Sequence, residues 1–107
     1  MTVQNLSVKE LNARLQAQDD VFLLDVREPS EFNYASIADS VLIPLNQLPG
    51  RVAELDSSKE IVVICHHGMR SMQAAQYLDR SGFTQVFNLQ GGIDAWSLEC
   101  DSAVRRY

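Results

Sequence analysis

Ile61-Val62-Val63-Ile64-Cys65-His66-His67-Gly68-Met69-Arg70-Ser71 carries the change from strand to helix on which the fold rests. Four β-branched apolar residues in an unbroken run are the pattern of a parallel strand covered on both faces, which leaves Cys65 at its C-terminal end. Ligands bind at such ends in open parallel sheets. Beyond it, Met72, Ala75 and Leu78 recur at helical spacing, and Gly82-Phe83 has the form of a C′ glycine with its hydrophobic contact, so a helix is predicted from near Arg70 or Ser71. The turn between is short enough for backbone N–H groups from His66 to Ser71 to converge as an anion nest at a helix N-terminus, with Cys65 facing it.

Such a nest suits a nucleophile. The thiolate is the reactive form of cysteine, and an ordinary thiol with a pKa of about 8.5 is only slightly ionised at neutral pH. The helix dipole, the converging N–H donors and Arg70 would all favour the ionised form. An inert core cysteine is the plainer alternative, but a following turn that carries Gly68 and Arg70 argues against it.

Outward from this stretch, strands alternate with helices. Val3 to Leu6 reads as a first strand, and Ser7 and Glu10 have capping-box spacing ahead of a helix that ends near Gln18. Val21 to Asp25 is a second buried strand, delivering Asp25, Val26, Arg27 and Glu28 to the edge that holds Cys65 if the sheet is parallel. The acidic and basic side chains there read as a solvated or loop-bracing cluster, with Asp25 accepting loop N–H groups as a supporting residue. Pro29 to Tyr34 is a short helical turn, Val41 to Ile43 a third strand stopped by Pro44, and Leu45 to Leu48 a further short helix. Pro49-Gly50 is expected to break the pattern before Arg51 to Leu55. Gln85 to Leu89 is a fifth strand, Gly91-Gly92 a turn, and Ile93 to Leu98 a last helix, with Trp96 as a packing aromatic. The alternation implies an α/β sandwich with a mainly parallel sheet of about five strands flanked by helices, in one domain over residues 1–107.

The segment Cys65 to Ser71 resembles the active-site loop of rhodanese-like sulfurtransferases. Leu23-Leu24-Asp25-Val26-Arg27-Glu28-Pro29-Ser30-Glu31-Phe32 is similar to the first signature of that family, and Gly91-Gly92-Ile93-Asp94-Ala95-Trp96 to its C-terminal one. The three occur in family order along nearly the whole chain. The chain has Ala35-Ser36 where the family usually has Gly-His, and Asp39-Ser40 where Gly-Ala is common; both lie outside the cysteine loop. The tail from Asp101 to Tyr107 is similar to the ends of rhodanese domains fused to adenylyltransferases that activate sulfur carriers. The resemblance implies the rhodanese-like three-layer sandwich. It also implies transfer of sulfane sulfur through a Cys65 persulfide, with His66, His67, Gly68, Met69, Arg70 and Ser71 forming the substrate loop and Asp25 and Arg27 supporting it. A small anionic donor such as thiosulfate, and cyanide, a thiol or a sulfur-carrier protein as acceptor, follow as expected partners, with no cofactor.

Composition narrows the rest. Fourteen acidic and nine basic residues give a net charge of -5, which offers no electrostatic footprint for nucleic acid. No apolar run is long enough to span a bilayer and no signal peptide is visible, so a cytoplasmic protein is expected. Cys65 and Cys100 make no disulfide framework. His66 and His67, adjacent in one tight turn, are not expected to surround a metal ion, and they are placed at the mouth of the loop instead. A thiol–disulfide oxidoreductase would need Cys100 to meet Cys65 without a Cys-x-x-Cys pair. A cysteine-dependent phosphatase or arsenate reductase is the stronger alternative. Four residues separate Cys65 from Arg70, whereas the phosphatases that resemble rhodaneses have one more. A non-catalytic rhodanese-like binding module is a third alternative, though such modules often lack the cysteine.

Overall fold

The computed structural model describes residues 3–107, so Met1 and Thr2 of the expected domain lie outside the described residues. Five strands, β1 (Gln4–Leu6), β2 (Val21–Asp25), β3 (Val41–Leu42), β4 (Glu60–Ile64) and β5 (Val86–Leu89), alternate with helices α1 (Val8–Gln16), α2 (Pro29–Tyr34), α3 (Leu48–Arg51), α4 (Met69–Arg80) and α5 (Gly92–Glu99). The sheet runs in the order β1-β5-β4-β2-β3 with every pairing parallel. Because all strands point the same way, the C-terminal ends of β2 and β4 lie side by side, with Asp25 in register with Ile64.

Successive strand residues face opposite sides of the sheet, and the apolar run Ile61–Ile64 therefore serves two cores. Ile61 and Val63 pack with Leu24, Val86, Ala74, Ala75 and Leu78 beneath α4. Val62 and Ile64 pack with Leu23, Leu89, Leu11, Ile93 and Trp96 beneath α1 and α5. These two apolar layers sandwich the sheet, the arrangement expected of the three-layer rhodanese-like fold.

Most predicted elements form. Ser7 and Glu10 make the capping box in both directions, and α1 ends at Gln16, two residues before the expected end. Gly82 has φ +96, and the Phe83 N–H donates to the Leu78 carbonyl at 3.1 Å, closing α4 as a glycine C-cap should. The segment around Pro49-Gly50 differs from the expectation. Leu45–Gln47 forms a 3-10 turn that runs into α3, with Pro49 inside the first turn of that helix. Proline lacks only the N–H that a first turn leaves unpaired, so the dipeptide starts a helix here and does not break one. Strand β3 ends at Leu42, one residue early, while the Ile43 N–H still bonds the Asp25 carbonyl at 2.9 Å.

Gly92 opens α5 with φ +62, and a Cβ there would stand 2.5 Å from the Cys65 carbonyl oxygen. Gly92→Ala should therefore destabilise the protein by at least the ~1–3 kcal/mol of a left-handed non-glycine residue. Gly50, inside α3 and with nothing within 4 Å of where a Cβ would stand, is the control. Gly50→Ala should be neutral or stabilising by up to about 1 kcal/mol. Urea denaturation of the two variants checks both; comparable stability in each would disprove the close approach at Gly92.

Candidate active site

The backbone fixes where Cys65 sits. The chain leaves β4 at Ile64, and the two carbonyls that follow, of Cys65 and His66, accept from the N–H groups of Ile93 (2.9 Å) and Asp94 (3.1 Å). Those N–H groups belong to the first turn of α5, where a helix has donors to spare. Gly68 at φ +110 then turns the chain into α4, which begins at Met69, slightly earlier than expected. Cys65 is buried to 1% exposure, with Sγ 3.0 Å from the Gly68 N–H and 3.3 Å from the Ser71 hydroxyl.

Ser71 is in turn held by a residue that sequence reading passed over. Its hydroxyl donates to Asn88 Oδ1, and Asn88 Nδ2 donates to Asn5 Oδ1 at 3.3 Å. A serine has one proton, so with that proton on Asn88 its oxygen is free to accept from the Cys65 thiol. Asn88 was legible as a lone polar residue in an apolar strand: it is 4% exposed between Phe87 and Leu89.

Asp25 and Arg27 come to the same edge, but as an internal pair and not a solvated one. Both are fully buried, with Arg27 Nη2 2.6 Å from Asp25 Oδ2. Asp25 also accepts the Arg27 backbone N–H at 3.0 Å, the loop-bracing role expected of it. Burial opposes the charge on Arg27, and hydrogen bonds to Asp25 and Tyr107 outweigh it, leaving its pKa raised. Arg70 is engaged in a second pair. Its guanidinium meets Glu31 of α2 at both ends, at 2.7 and 2.9 Å, the geometry of a bidentate Arg–carboxylate contact. Hydrogen bonding from Arg70 brings the Glu31 carboxyl from its ordinary 4.5 to about 2, against the opposing effect of burial.

His66 and His67 lie at the rim. Their rings stack at 3.9 Å, and Tyr107 stacks on the other side of His66 at 4.0 Å, nearly parallel. Burial, reinforced by His67, lowers the His66 pKa, and Nε2 of His66 is buried without a hydrogen-bond partner. The fold adds Asp94 to this pair, so that three potential ligand atoms come within 4.8 Å of one another. The Asp94 carboxylate is already held by Arg106 at 2.9 Å, which opposes a cation there. Met69, at 82% exposure, contributes to the loop surface only.

Cys100 lies on the other side of the sheet, packed with the α1–α5 core and donating to the Val8 carbonyl, and both cysteines are free. Burial, and then Glu99, pushes its thiol up, so it is the less reactive form that dominates there. A cavity of about 420 Å³ on that side is lined by Leu15, Val21, Ile37, Trp96 and aspartates, with no cysteine in its lining. No helix among the described residues is long and apolar enough to cross a membrane.

The paired charges can be tested separately. Asp25→Ala would strand the Arg27 guanidinium inside the protein, at a cost of about 3–5 kcal/mol, whereas replacing Asp25 with Leu and Arg27 with Met together should recover most of that loss. Equal loss in the single and double variants, measured by urea denaturation, would contradict the buried-charge account. Glu31 has a folded pKa below its unfolded one, so its stabilisation is complete above pH 4.5 and is lost as the pH falls towards 2. Glu31→Gln should flatten the stability–pH curve across that window and leave it unchanged in shape above it.

Comparison with known proteins agrees with this geometry. The sequence matches the family model described as Rhodanese-like domain over residues 7–99. It is 37% identical over 95 residues to a sulfurtransferase of Allochromatium vinosum, covering 89% of each chain. It is 34% identical over 93 residues to the thiosulfate sulfurtransferase GlpE of Shewanella oneidensis, covering 87% of this chain and 91% of that one. The crystal structure of a rhodanese-related protein from Thermoplasma volcanium superposes with a TM-score of 0.83 at 34% identity, over 91% of this chain and 93% of that chain. A five-stranded parallel sheet that places a buried cysteine against the N-terminus of α4, and a family match that reaches from the first helix to the last, have one conclusion: this chain belongs to the rhodanese-like domain family.

Proposed function

We propose that the protein is a sulfurtransferase that carries sulfane sulfur as a persulfide on Cys65. The observation that carries this reading is the position of Sγ at the end of β4, facing the Gly68 N–H at 3.0 Å and the Ser71 hydroxyl at 3.3 Å. The likeness to proteins named sulfurtransferase supports the reaction, and the relative named for thiosulfate supports a small anionic donor. In the first half-reaction the Cys65 thiolate attacks the outer sulfur of thiosulfate. The new S–S bond forms as the old one breaks, and sulfite departs with the bonding electron pair. In the second, a nucleophile such as cyanide, a thiol or a group on a carrier protein attacks the outer sulfur, and Cys65 leaves as a thiolate. No electrons are gained or lost overall.

Gly68 and the other N–H groups of the turn would hold the outer sulfur, and His66 and His67 would shape its entrance. Arg70 would hold the anionic donor, turning from Glu31 or sharing its guanidinium with it. The turn is a tight one. Four residues separate Cys65 from Arg70, and a ring sized for one sulfur atom does not also wrap the oxygens of a phosphate.

Intact mass after incubation with thiosulfate should show one added sulfur on the wild type and none on Cys65→Ser, with Cys100→Ser behaving as wild type. Sulfur on Cys65→Ser would assign the nucleophile elsewhere. Arg70→Ala should raise the KM for thiosulfate by about tenfold, the loss of one charge-assisted contact, with less effect on cyanide attack at a preformed persulfide. Wild-type protein should not hydrolyse aryl phosphates, and one glycine inserted between Gly68 and Met69 should impair persulfide formation. Aryl phosphatase activity equal to sulfur transfer would favour the phosphatase alternative.

A further inference from the structure

The C-terminal segment closes over the loop that bears Cys65. Tyr107 joins two loops that are far apart in sequence. Its ring lies on His66, the residue after the cysteine, while its hydroxyl accepts from Arg27 Nη1 at 2.9 Å and donates to Glu31 Oε2 at 2.8 Å. Arg27 and Glu31 follow β2, and His66 follows β4, so Tyr107 straddles the edge at which Cys65 emerges. The preceding residues are tethered independently: Val104 packs on the α1–α5 core, Arg105 lies over the Tyr34 ring, and Arg106 pairs with Asp94.

We propose that Tyr107 determines access to Cys65, admitting small reagents and making bulky ones displace its ring. This rests on the reading of Cys65 as the sulfur-carrying nucleophile. Cys65 is 1% exposed, so a partner larger than a small anion reaches its sulfur only when the rim parts. Tyr107 is suited to part. It is 42% exposed, and it is held by a stack on His66, an edge contact with Tyr34, the Arg27 guanidinium over its ring and two side-chain hydrogen bonds that water can replace. The closed arrangement leaves His66 Nε2 buried with no partner, and release of the ring would return that nitrogen to water. The tethers at Val104, Arg105 and Arg106 keep the segment in place when the Tyr107 side chain lifts. The acceptors favoured by an open rim are thiols on large molecules, including protein thiols, while thiosulfate and cyanide pass the closed one.

The test reads access without sulfur transfer. In a Cys100→Ser background, the rates of Cys65 alkylation by iodoacetamide and by a pyrene-bearing maleimide are compared for the chain with Tyr107 intact, Tyr107→Phe and Tyr107→Ala. The maleimide-to-iodoacetamide rate ratio should rise about tenfold in Tyr107→Ala, as expected when two hydrogen bonds and a ring stack are removed. Tyr107→Phe keeps the ring and loses both hydrogen bonds, so it should give a smaller rise; it also serves should the alanine variant not fold. An unchanged ratio in both variants overturns the proposal. So does an equal rise in the two rates, because that reports more thiolate and not more room. Were Cys65 found never to take up sulfur, the sulfurtransferase reading would fail while this ratio would still decide the role of Tyr107.

Discussion

Burying a guanidinium is the constraint around which this edge of the protein is assembled. Arg27 carries five N–H donors in a fixed planar fork, and an interior site must answer each of them. Asp25 takes the Nε side and one Nη2 proton, the Ala35 carbonyl takes the other at 2.6 Å, and Nη1 is shared between the Glu31 carbonyl and the Tyr107 hydroxyl. Those acceptors come from the end of β2, from both ends of α2 and from the C-terminal segment. Satisfying one side chain therefore fixes the start and finish of α2, and with it the Glu31 carboxylate that holds Arg70 beside the cysteine loop.

The same arrangement sets the electrostatics of the site. Each of the two arginines at this edge is matched to a carboxylate, Arg27 to Asp25 and Arg70 to Glu31, so neither stands as a free cation at rest. A buried pair of this kind contributes little net stability, since desolvation offsets the attraction, but losing one partner is expensive. The Arg70–Glu31 pair is nearer the surface, with the Arg70 side chain 36% exposed. It is the cheaper of the two to open. The difference separates a structural pair from one that the proposed function requires to exchange its carboxylate for an incoming anion.

Much of this was legible in the sequence because it rests on local rules. The apolar run before Cys65 has the form of a doubly covered strand, and the helical spacing after it places the cysteine at a strand–helix turn. Gly82, Trp96 and the Ser7–Glu10 box were readable for the same reason. Pro49-Gly50 was misread, since proline serves a helix start as readily as it ends one, and the choice depends on neighbours far away in sequence. The charge cluster at Asp25 and Arg27 was placed correctly along the strand, while its complete burial was not foreseen, because the groups that satisfy it lie at Ala35 and Tyr107. Asn88 shows in the sequence only as a lone polar residue in an apolar strand, and Tyr107 carries no periodic signal. Their roles exist only once the parallel order of the sheet sets β5 beside β4 and the tail crosses the loop.

The two cysteines face opposite sides of the sheet, Cys65 in the layer under α4 and Cys100 in the layer under α5. A sulfur atom held on Cys65 thus has no neighbouring thiol among the described residues onto which it could collapse as an internal disulfide. Were sulfur carried there as proposed, its lifetime would be governed by encounters with molecules from outside, and so would the repair of any sulfenic acid formed on Cys65. The sheet thus acts as an insulator between the two thiols, and on the proposed function it would make sulfur on Cys65 a storable group.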